Sequence, residues 1–459
     1  MSTSIMRGSL LPSKNQAWWW LDKLLLIIIC AVVWGLIAIR PPSFESTNLY
    51  FSAQRLTLYD WSTHGRGYGR NVGNFLAHAL MWNPLGLVQP GQIILVGVLG
   101  VVIWKVLAQE PMGVRVVLGG LFVFGFPYLP HGMDRPWAGI YGPSALMFGL
   151  LLYQIARGSQ YLGSNYTLTS SLVVLLSLSY ETWMMFLVGI SILTLVAKFS
   201  PGLFGRLRIY RMGDWQSVSI GLAAIGCLLL RVFFLEGAEP DLGAFTTRLT
   251  PATLVQLCIV TTRISMNILV DSVPLGVIIG FGVMRSPQRF TFSRLGFWPY
   301  LLFGSMFSAV SVNFVYGLVL GGVIDWRSRF LLMLMMTAFY FSLPWESISK
   351  WLRAHTQMYF DNTIRIAIAA ASIKLVYTAV LTFMVHPLNL VGWVDYRARI
   401  WAKDASVLEE LTDFGSCDNK YCFTEYRSHA VHQLAMDYWA DGPTAYVVPW
   451  LKIDALRVD

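Results

Sequence analysis

The fold is decided by residues 165–199, which read NYTLTSSLVVLLSLSYETWMMFLVGISILTLVAKF. The only charged side chains in this stretch are Glu181 and Lys198. The stretch is too long for one crossing of a bilayer, because a hydrocarbon core of ~30 Å needs about 20 residues of helix. Its length suits two short helices, over 167–180 and 183–198, that meet at a turn beside Glu181.

The acid at this turn is the first candidate for a functional group. A carboxylate in hydrocarbon is stable only beside a cation or a wet cavity, so a buried acid in a membrane protein is a functional candidate by default. The two-helix interpretation places Glu181 at the membrane surface, at the mouth of a helix bundle. The alternative is a turn acid among the lipid headgroups, which needs no function.

Composition assigns the whole chain to the membrane. Of the 459 residues, 55% are hydrophobic and only 13% are charged, and the mean hydropathy is +0.55. A soluble chain carries about twice that charged fraction. The composition therefore predicts an all-α polytopic membrane protein without a separate soluble enzyme domain. The net charge of +9 is scattered over loops beside apolar runs, which indicates contact with anionic membrane lipids and not with nucleic acid.

Apolar runs predict about eleven transmembrane helices, all within residues 1–385. The first, 24–39, follows basic residues and has no small-residue cleavage site, which favours a retained span over a removed signal peptide. The others are predicted at 91–108, 116–130, 143–156, 167–180, 183–198, 217–235, 272–284, 295–311, 330–344 and 363–385.

Three segments between or after these spans face the outside in this topology. Apolar residues recur at helical spacing in 72–82 and in 251–270, so both stretches are predicted to be helices that lie in the membrane interface. The third segment, residues 386–459, forms a small extracytoplasmic tail that is too short for a core of its own.

Loop charge predicts the orientation. With a cytoplasmic N-terminus, the cytoplasmic loops hold the densest basic clusters, as the positive-inside rule requires. The cations in these clusters are Lys198, Arg206, Arg208, Arg211, Arg285, Arg289, Arg294, Lys350, Arg353 and Arg365. Short inner loops favour a bacterial inner (cytoplasmic) membrane, with the C-terminus periplasmic or extracellular.

Two cysteines of the tail, Cys417 and Cys422, fall on that outer side. A loop disulfide between them fits an oxidising compartment. Two free thiols at a chance spacing are the alternative, and the sequence does not decide between the two.

Proline and glycine interrupt several predicted spans, for example at Pro127, Pro143 and Pro274. Such interruptions are tolerated at membrane depth only where the backbone is buried in protein or faces water. They therefore predict a wet hollow near the outer face.

Polar clusters in the outer segments converge on this hollow. Acids accept a proton from an attacking hydroxyl, and arginines bind phosphate through two parallel hydrogen bonds. Each cluster alone is also typical of juxtamembrane anchors and loop salt bridges, so it is their shared side of the membrane that favours a common site. The candidates are Asp60, His64, Arg66, Arg70, His131, Asp134, Arg135, Tyr180, Glu181, Tyr316, Arg327 and Arg329.

Lys374 lies midway along the last predicted span. A lysine at that depth snorkels to the surface, pairs with an acid across the bundle, or contacts a lipid phosphate. The sequence leaves all three interpretations open.

This arrangement resembles the polytopic glycosyltransferases of the C superfamily (GT-C). Within that superfamily it is similar to the bacterial serotype-converting O-antigen glucosyltransferases and their uncharacterised relatives. The resemblance covers most of the membrane part, and the tail matches no motif of the family. The residues that carry it are Asp60 with Gly-Arg at 65–66 and 69–70, Tyr180-Glu181, and Tyr316 with Arg327 and Arg329.

The resemblance implies transfer of a sugar from a polyprenyl-phosphate donor to a glycan or lipid-linked acceptor on the outer side. It makes Asp60 the first candidate for the general base, with Glu181 second or acting as its partner. Many members have two adjacent acids in the first loop, whereas Trp61 follows Asp60 here. Single displacement needs one base and a stabilised leaving phosphate, so we expect neither a metal nor another cofactor.

The remaining candidates are expected to contact the substrate, and the resemblance implies the role of the arginines. The donor phosphate is expected to lie against the arginines of the first loop and of the later outer turn, Arg66, Arg70, Arg327 and Arg329. The rest of the substrate site is expected to comprise His64, His131, Asp134, Arg135, Tyr180, Tyr316 and Lys374.

Two other classes of function stay open. A secondary transporter is also polytopic and also carries charge within the membrane, but it usually has two similar halves, and no such halves are found here. A non-catalytic subunit of a larger membrane complex would explain the aromatic content of 14% and needs no site at all.

Overall fold

The computed structural model describes residues 24, 28, 71–81, 90–132, 135–158, 166–199, 220–221, 224–227, 250–285, 296–320, 326–356 and 360–384. These residues form α-helices joined by turns, and they contain no strand. The all-α class predicted from composition is therefore confirmed for this part of the chain.

The described helices overlap most of the predicted spans. Their bounds are α1 (Asn71–Met81), α2 (Pro90–Val106), α3 (Met112–Phe124), α4 (Leu129–Gly132), α5 (Arg135–Gly158), α6 (Tyr166–Ser177), α7 (Glu181–Phe199), α8 (Pro251–Arg285), α9 (Trp298–Leu320), α10 (Trp326–Ser342), α11 (Trp345–Thr356) and α12 (Phe360–Met384).

Three of these helices, α5, α7 and α8, contain segments long and apolar enough to cross a membrane. A fourth crossing results if α10 and α11, which are bent by 67° at a short break, are counted together. The described residues thus account for three or four of the eleven predicted spans. The predicted spans 24–39 and 217–235 lie largely outside the described residues, and the tail 386–459 lies wholly outside them.

One predicted boundary is wrong. The pattern separates an interfacial helix at 251–270 from a span at 272–284, but the structure joins both in α8, a single helix of 35 residues. Its start is capped by Thr250, whose hydroxyl accepts a backbone N–H from the first turn, and Pro251 occupies a position where a missing N–H costs nothing. Pro274 lies inside the helix and does not end it.

The helix in the region of the predicted span 116–130 ends earlier than expected. Helix α3 ends at Phe124, and the Gly125 N–H donates to the Leu121 carbonyl at 2.8 Å. A Cβ on Gly125 would collide with Leu375 of α12, so only glycine allows α12 to approach the end of α3 this closely.

Helix α1 forms where the amphipathic stretch 72–82 predicts a helix. It packs on the turn between α6 and α7, where the Gly73 N–H donates to the Leu178 carbonyl at 3.3 Å. Ala77 and His78 are buried, and Ala77 contacts Gly139 of α5. One face of α1 is therefore covered by the bundle.

The helices give the bundle two ends of different chemistry. Helices α5, α7 and α10 begin at one end, which we call the aromatic end, because the rings of Trp137, Tyr141, Tyr180 and Phe330 meet there. Helix α8 terminates at the opposite end, where Gly282 contacts the end of α2. We call this the basic end, since five cations assigned to one side by the positive-inside rule lie at helix ends there: Lys198, Arg285, Lys350, Arg353 and Arg365.

The crossing of α2 and α5 gives a test of this packing. A Cβ on Gly142 would collide with the Gly91 carbonyl, whereas a Cβ on Gly149 of the same helix meets nothing within 4 Å. We expect Gly142→Ala to lower the free energy of unfolding by about 1–3 kcal/mol, a usual cost of overpacking. Gly149→Ala should be neutral or stabilising, because alanine favours helix. Thermal unfolding of the purified protein in detergent measures both, and equal midpoints would contradict the described crossing.

Candidate functional site

Four side chains from distant parts of the chain form a connected group, which we call the polar cluster. The Tyr128 hydroxyl donates to Asp271 Oδ2 at 2.9 Å. Lys374 Nζ lies 3.4 Å from Asp271 Oδ1. The Arg329 guanidinium lies over the Tyr128 ring, 5.7 Å from its centroid. The cluster therefore joins the α3–α4 turn to α8, α10 and α12.

The depth of the polar cluster follows from helix geometry. At about 1.5 Å per residue, Asp271 lies about 21 Å along α8 from Arg285, and Lys374 lies about 21 Å along α12 from Phe360. If the basic end lies at one surface of a hydrocarbon core of ~30 Å, the cluster lies in the third of the core that is farthest from the basic end. An ion pair at that depth is the kind of group that marks functional sites in membrane proteins.

Tyr128 reaches this position through an unusual backbone conformation. Its φ is 61°, and it is the one residue other than glycine with a positive φ in the described part of the chain. A non-glycine residue in this region costs about 1–3 kcal/mol and persists only where its surroundings fix it. Here Pro127 prevents α3 from continuing, and the contacts with Asp271 and Arg329 hold the ring in place.

Lys374 pairs with an acid across the bundle, the second of its three predicted interpretations. The pair is incompletely buried, since the lysine side chain is 43% exposed and the aspartate side chain 27%. The ammonium also lies 5.7 Å from the centroid of the Tyr377 ring. The cation is thus held between an anion and an aromatic face, yet part of it stays accessible from the outside of the bundle.

Sequence reasoning missed Asp271 and Tyr128. It assigned Asp271 to an outer loop, because the next span was predicted to begin one residue later. The signal was nevertheless present, since Asp271 is the only acid in the 35 residues of α8. A lone acid in one apolar helix and a lone lysine deep in another predict a pair. For Tyr128 no such signal exists, because its role depends on a turn conformation.

Glu181 is the first residue of α7 and is half-buried, and the α6–α7 turn lies where the sequence predicts it. A carboxylate in the first turn of a helix interacts favourably with the helix dipole. This position alone would stabilise α7, so a chemical role for Glu181 depends on what lies near it.

Ring contacts at the aromatic end run from Tyr180, which precedes Glu181 in the chain, to Phe330, which follows Arg329. The Tyr180 ring meets Trp137 and Tyr141 edge-on, with centroids 5.8 and 5.5 Å away. Tyr141 in turn stacks on Phe330 at 5.8 Å, and Phe330 follows Arg329 in the chain. Tyr180 is fully buried, so its ring packs the α6–α7 turn against α5.

Polar groups near the start of α7 lack partners. Thr182 Oγ1, Trp183 Nε1 and Asn313 Oδ1 are buried without a hydrogen-bond partner. The Thr182 carbonyl accepts the Ser308 hydroxyl at 2.7 Å, which fixes α9 against α7. Buried polar atoms of this kind are normally satisfied by water or by a ligand group. The wet hollow near the outer face stays a prediction.

The other predicted site residues divide into two groups. His131 lies in α4, Arg135 begins α5, Tyr316 lies in α9 and Arg327 in the first turn of α10. The α4 backbone reaches the site, because Gly132 packs directly against the Phe330 ring. The remaining ones lie outside the described residues: Asp60, His64, Arg66, Arg70, Asp134, and the predicted disulfide partners Cys417 and Cys422.

Among the described residues, no three His, Cys, Asp or Glu side chains come together as ligands for a metal ion. Comparison of the chain with protein-family models, with curated proteins and with solved structures gives no match.

The Asp271–Lys374 pair can be measured by a double-mutant cycle. Asp271→Asn leaves the ammonium uncompensated, and Lys374→Gln leaves the carboxylate uncompensated. The losses of stability in the two single variants should therefore add up to more than the loss in the double variant. We expect a coupling free energy of about 0.5–3 kcal/mol from thermal unfolding in detergent.

A matched control is the exposed pair of Glu346 and Lys350 on α11, at 3.0 Å. Its coupling should be only about 0.3–0.5 kcal/mol, as for other exposed pairs one helical turn apart. Equal coupling for the two pairs would mean that Asp271 and Lys374 gain nothing from their apolar setting.

Proposed function

We propose that the chain is a glycosyltransferase of the bacterial inner membrane that transfers a sugar from a polyprenyl-phosphate donor to an extracytoplasmic glycan or lipid-linked acceptor. The proposal includes the GT-C arrangement, about eleven spans, a cytoplasmic N-terminus and an extracytoplasmic tail. One observation carries it: in an apolar bundle, the acid Glu181 and the cations Arg329 and Lys374 gather towards the same end.

The cations suit the leaving group of such a reaction. When the bond between the sugar and the phosphate breaks, negative charge develops on the phosphate oxygens, and cations fixed in a medium of low dielectric stabilise it strongly. Arg329 is buried, and its guanidinium is held over the Tyr128 ring. Lys374 is half-exposed on α12, where a lipid-linked phosphate can approach through the membrane.

The acid suits the proton transfer. The acceptor hydroxyl oxygen attacks the anomeric carbon, the carbon–oxygen bond to the phosphate breaks with its electron pair going to the phosphate, and a carboxylate takes the hydroxyl proton. Asp60 is the first candidate for this base by resemblance to the family. Glu181, half-buried at the start of α7, is the second candidate or its partner.

The polar cluster also favours a second candidate function, secondary transport. Ion and proton pathways in transporters contain charged pairs within the membrane, and the Asp271–Lys374 pair is of that kind. Uptake of solute into vesicles that contain the purified chain is the direct measurement for this alternative.

Replacement of the two acids separates catalysis from the other functions. We expect Asp60→Asn and Glu181→Gln each to lower the rate of sugar transfer by about 10²–10⁴, the usual contribution of a general base. The measurement is the transfer of labelled sugar from polyprenyl phosphate to glycan in membranes, together with the abundance of each variant.

Lys198→Gln is the matched control, because Lys198 is the only other charged side chain of α7 and lies at its opposite end. It should transfer sugar at the unmodified rate. Full transfer by both acid variants at normal abundance would remove the catalytic proposal and favour a non-catalytic membrane subunit.

A further inference from the structure

Helix α11 lies across the basic end of the bundle. Helix α10 runs from the polar cluster towards that end, and α12 runs back from it to Lys374. The 12 residues of α11 connect the two, and the axis turns by 67° between α10 and α11. If α10 crosses the membrane by itself, a helix at this angle to it lies close to the membrane plane.

One residue fixes this orientation. The Trp345 indole Nε1 donates to the Tyr340 carbonyl at 2.7 Å, which ties the first turn of α11 to the end of α10. The Trp345 ring packs on Gly280 of α8, where a Cβ would collide with it. The start of α11 is therefore anchored to two helices, and its direction is determined by packing.

The two flanks of α11 differ in chemistry. At 3.6 residues per turn, Ile348 and Leu352 share the face that starts at Trp345, and both are partly buried. Lys350 and Arg353 project from one side of that face and are exposed.

The opposite flank is aromatic. Trp351 and His355 project from it and are exposed, with their ring centroids 4.5 Å apart. Helices with one basic flank and one exposed tryptophan are typical of the membrane interface, where the ring enters the headgroup region.

The surroundings of α11 add positive charge. Arg285, at the end of α8, has a side chain that is 59% exposed even though it pairs with buried Glu110 at 3.5 Å. Arg365, in the second turn of α12, is exposed as well. Lys350 pairs with Glu346 at 3.0 Å, and Arg353 is exposed on the same flank.

We propose that the exposed surface of α11, formed by Lys350, Trp351 and Arg353, binds the headgroups of anionic phospholipids. The basic flank attracts the phosphate, and Trp351 inserts beside it at the level of the headgroups. This binding holds the basic end at the membrane surface and does not depend on the proposed sugar transfer.

The test uses the full chain in nanodiscs of phosphatidylcholine that contain increasing fractions of phosphatidylglycerol. Hydrogen exchange of the α11 amides is the readout, because it reports this helix alone. We expect phosphatidylglycerol to slow exchange in α11. In the variant Lys350→Gln/Arg353→Gln, the fraction of phosphatidylglycerol needed for half-maximal protection should rise about 25-fold, because each cation near an anionic surface strengthens binding about 5-fold.

Two further variants control for charge and fold. Lys350→Arg/Arg353→Lys keeps both charges and should behave like the unmodified chain. Glu346→Gln removes the anion beside Lys350 and should lower the half-maximal fraction about 5-fold.

Arg263→Gln is the matched control, because Arg263 is an exposed cation on the part of α8 that lies beyond the polar cluster. It should leave protection of α11 unchanged. The proposal would be overturned if phosphatidylcholine alone protected α11 as well as mixtures with phosphatidylglycerol do. An unchanged half-maximal fraction in the double Gln variant would overturn it too. If that variant does not fold, Glu346→Gln still decides it, since an unchanged fraction there would overturn it too.

Discussion

The Asp271 carboxylate is the interaction on which the polar interior depends. It accepts the Tyr128 hydroxyl and pairs with Lys374, so it links the end of α3 to α8 and α12. Through the Tyr128 ring the same group reaches Arg329 of α10. Charged groups in an apolar setting are stable only as a set, because each one left alone carries its full desolvation cost. The position of Arg329 is thus tied to an acid two contacts away.

The architecture around this set could be predicted in part from the sequence. The prediction of the α6–α7 turn is confirmed. It was possible because a single acid divides an apolar stretch that is too long for one crossing. The pairing of Lys374 with an acid was among the expected interpretations. Five of the ten cations that the positive-inside rule places on one side lie in the described residues, and all five lie at one end of the bundle.

The remainder depends on contacts that local patterns do not contain. Proline and a change in hydrophobicity suggested a boundary within α8, yet packing against neighbouring helices carries the helix through Pro274. The contact between Tyr128 and Asp271 joins residues 143 positions apart and needs a backbone conformation rarely adopted by tyrosine. The burial of the Tyr180 ring in the aromatic end likewise depends on residues from other helices.

Pro274 has a mechanical consequence for the ion pair. Proline lacks the N–H that would bond to the Val270 carbonyl, so the hydrogen-bond ladder of α8 misses a rung beside Asp271. Bending of a helix costs least where a rung is missing. The two halves of α8 therefore pivot most easily at the level of the carboxylate. Any tilt of the N-terminal half therefore changes the distance between Asp271 and Lys374 before it disturbs the basic end.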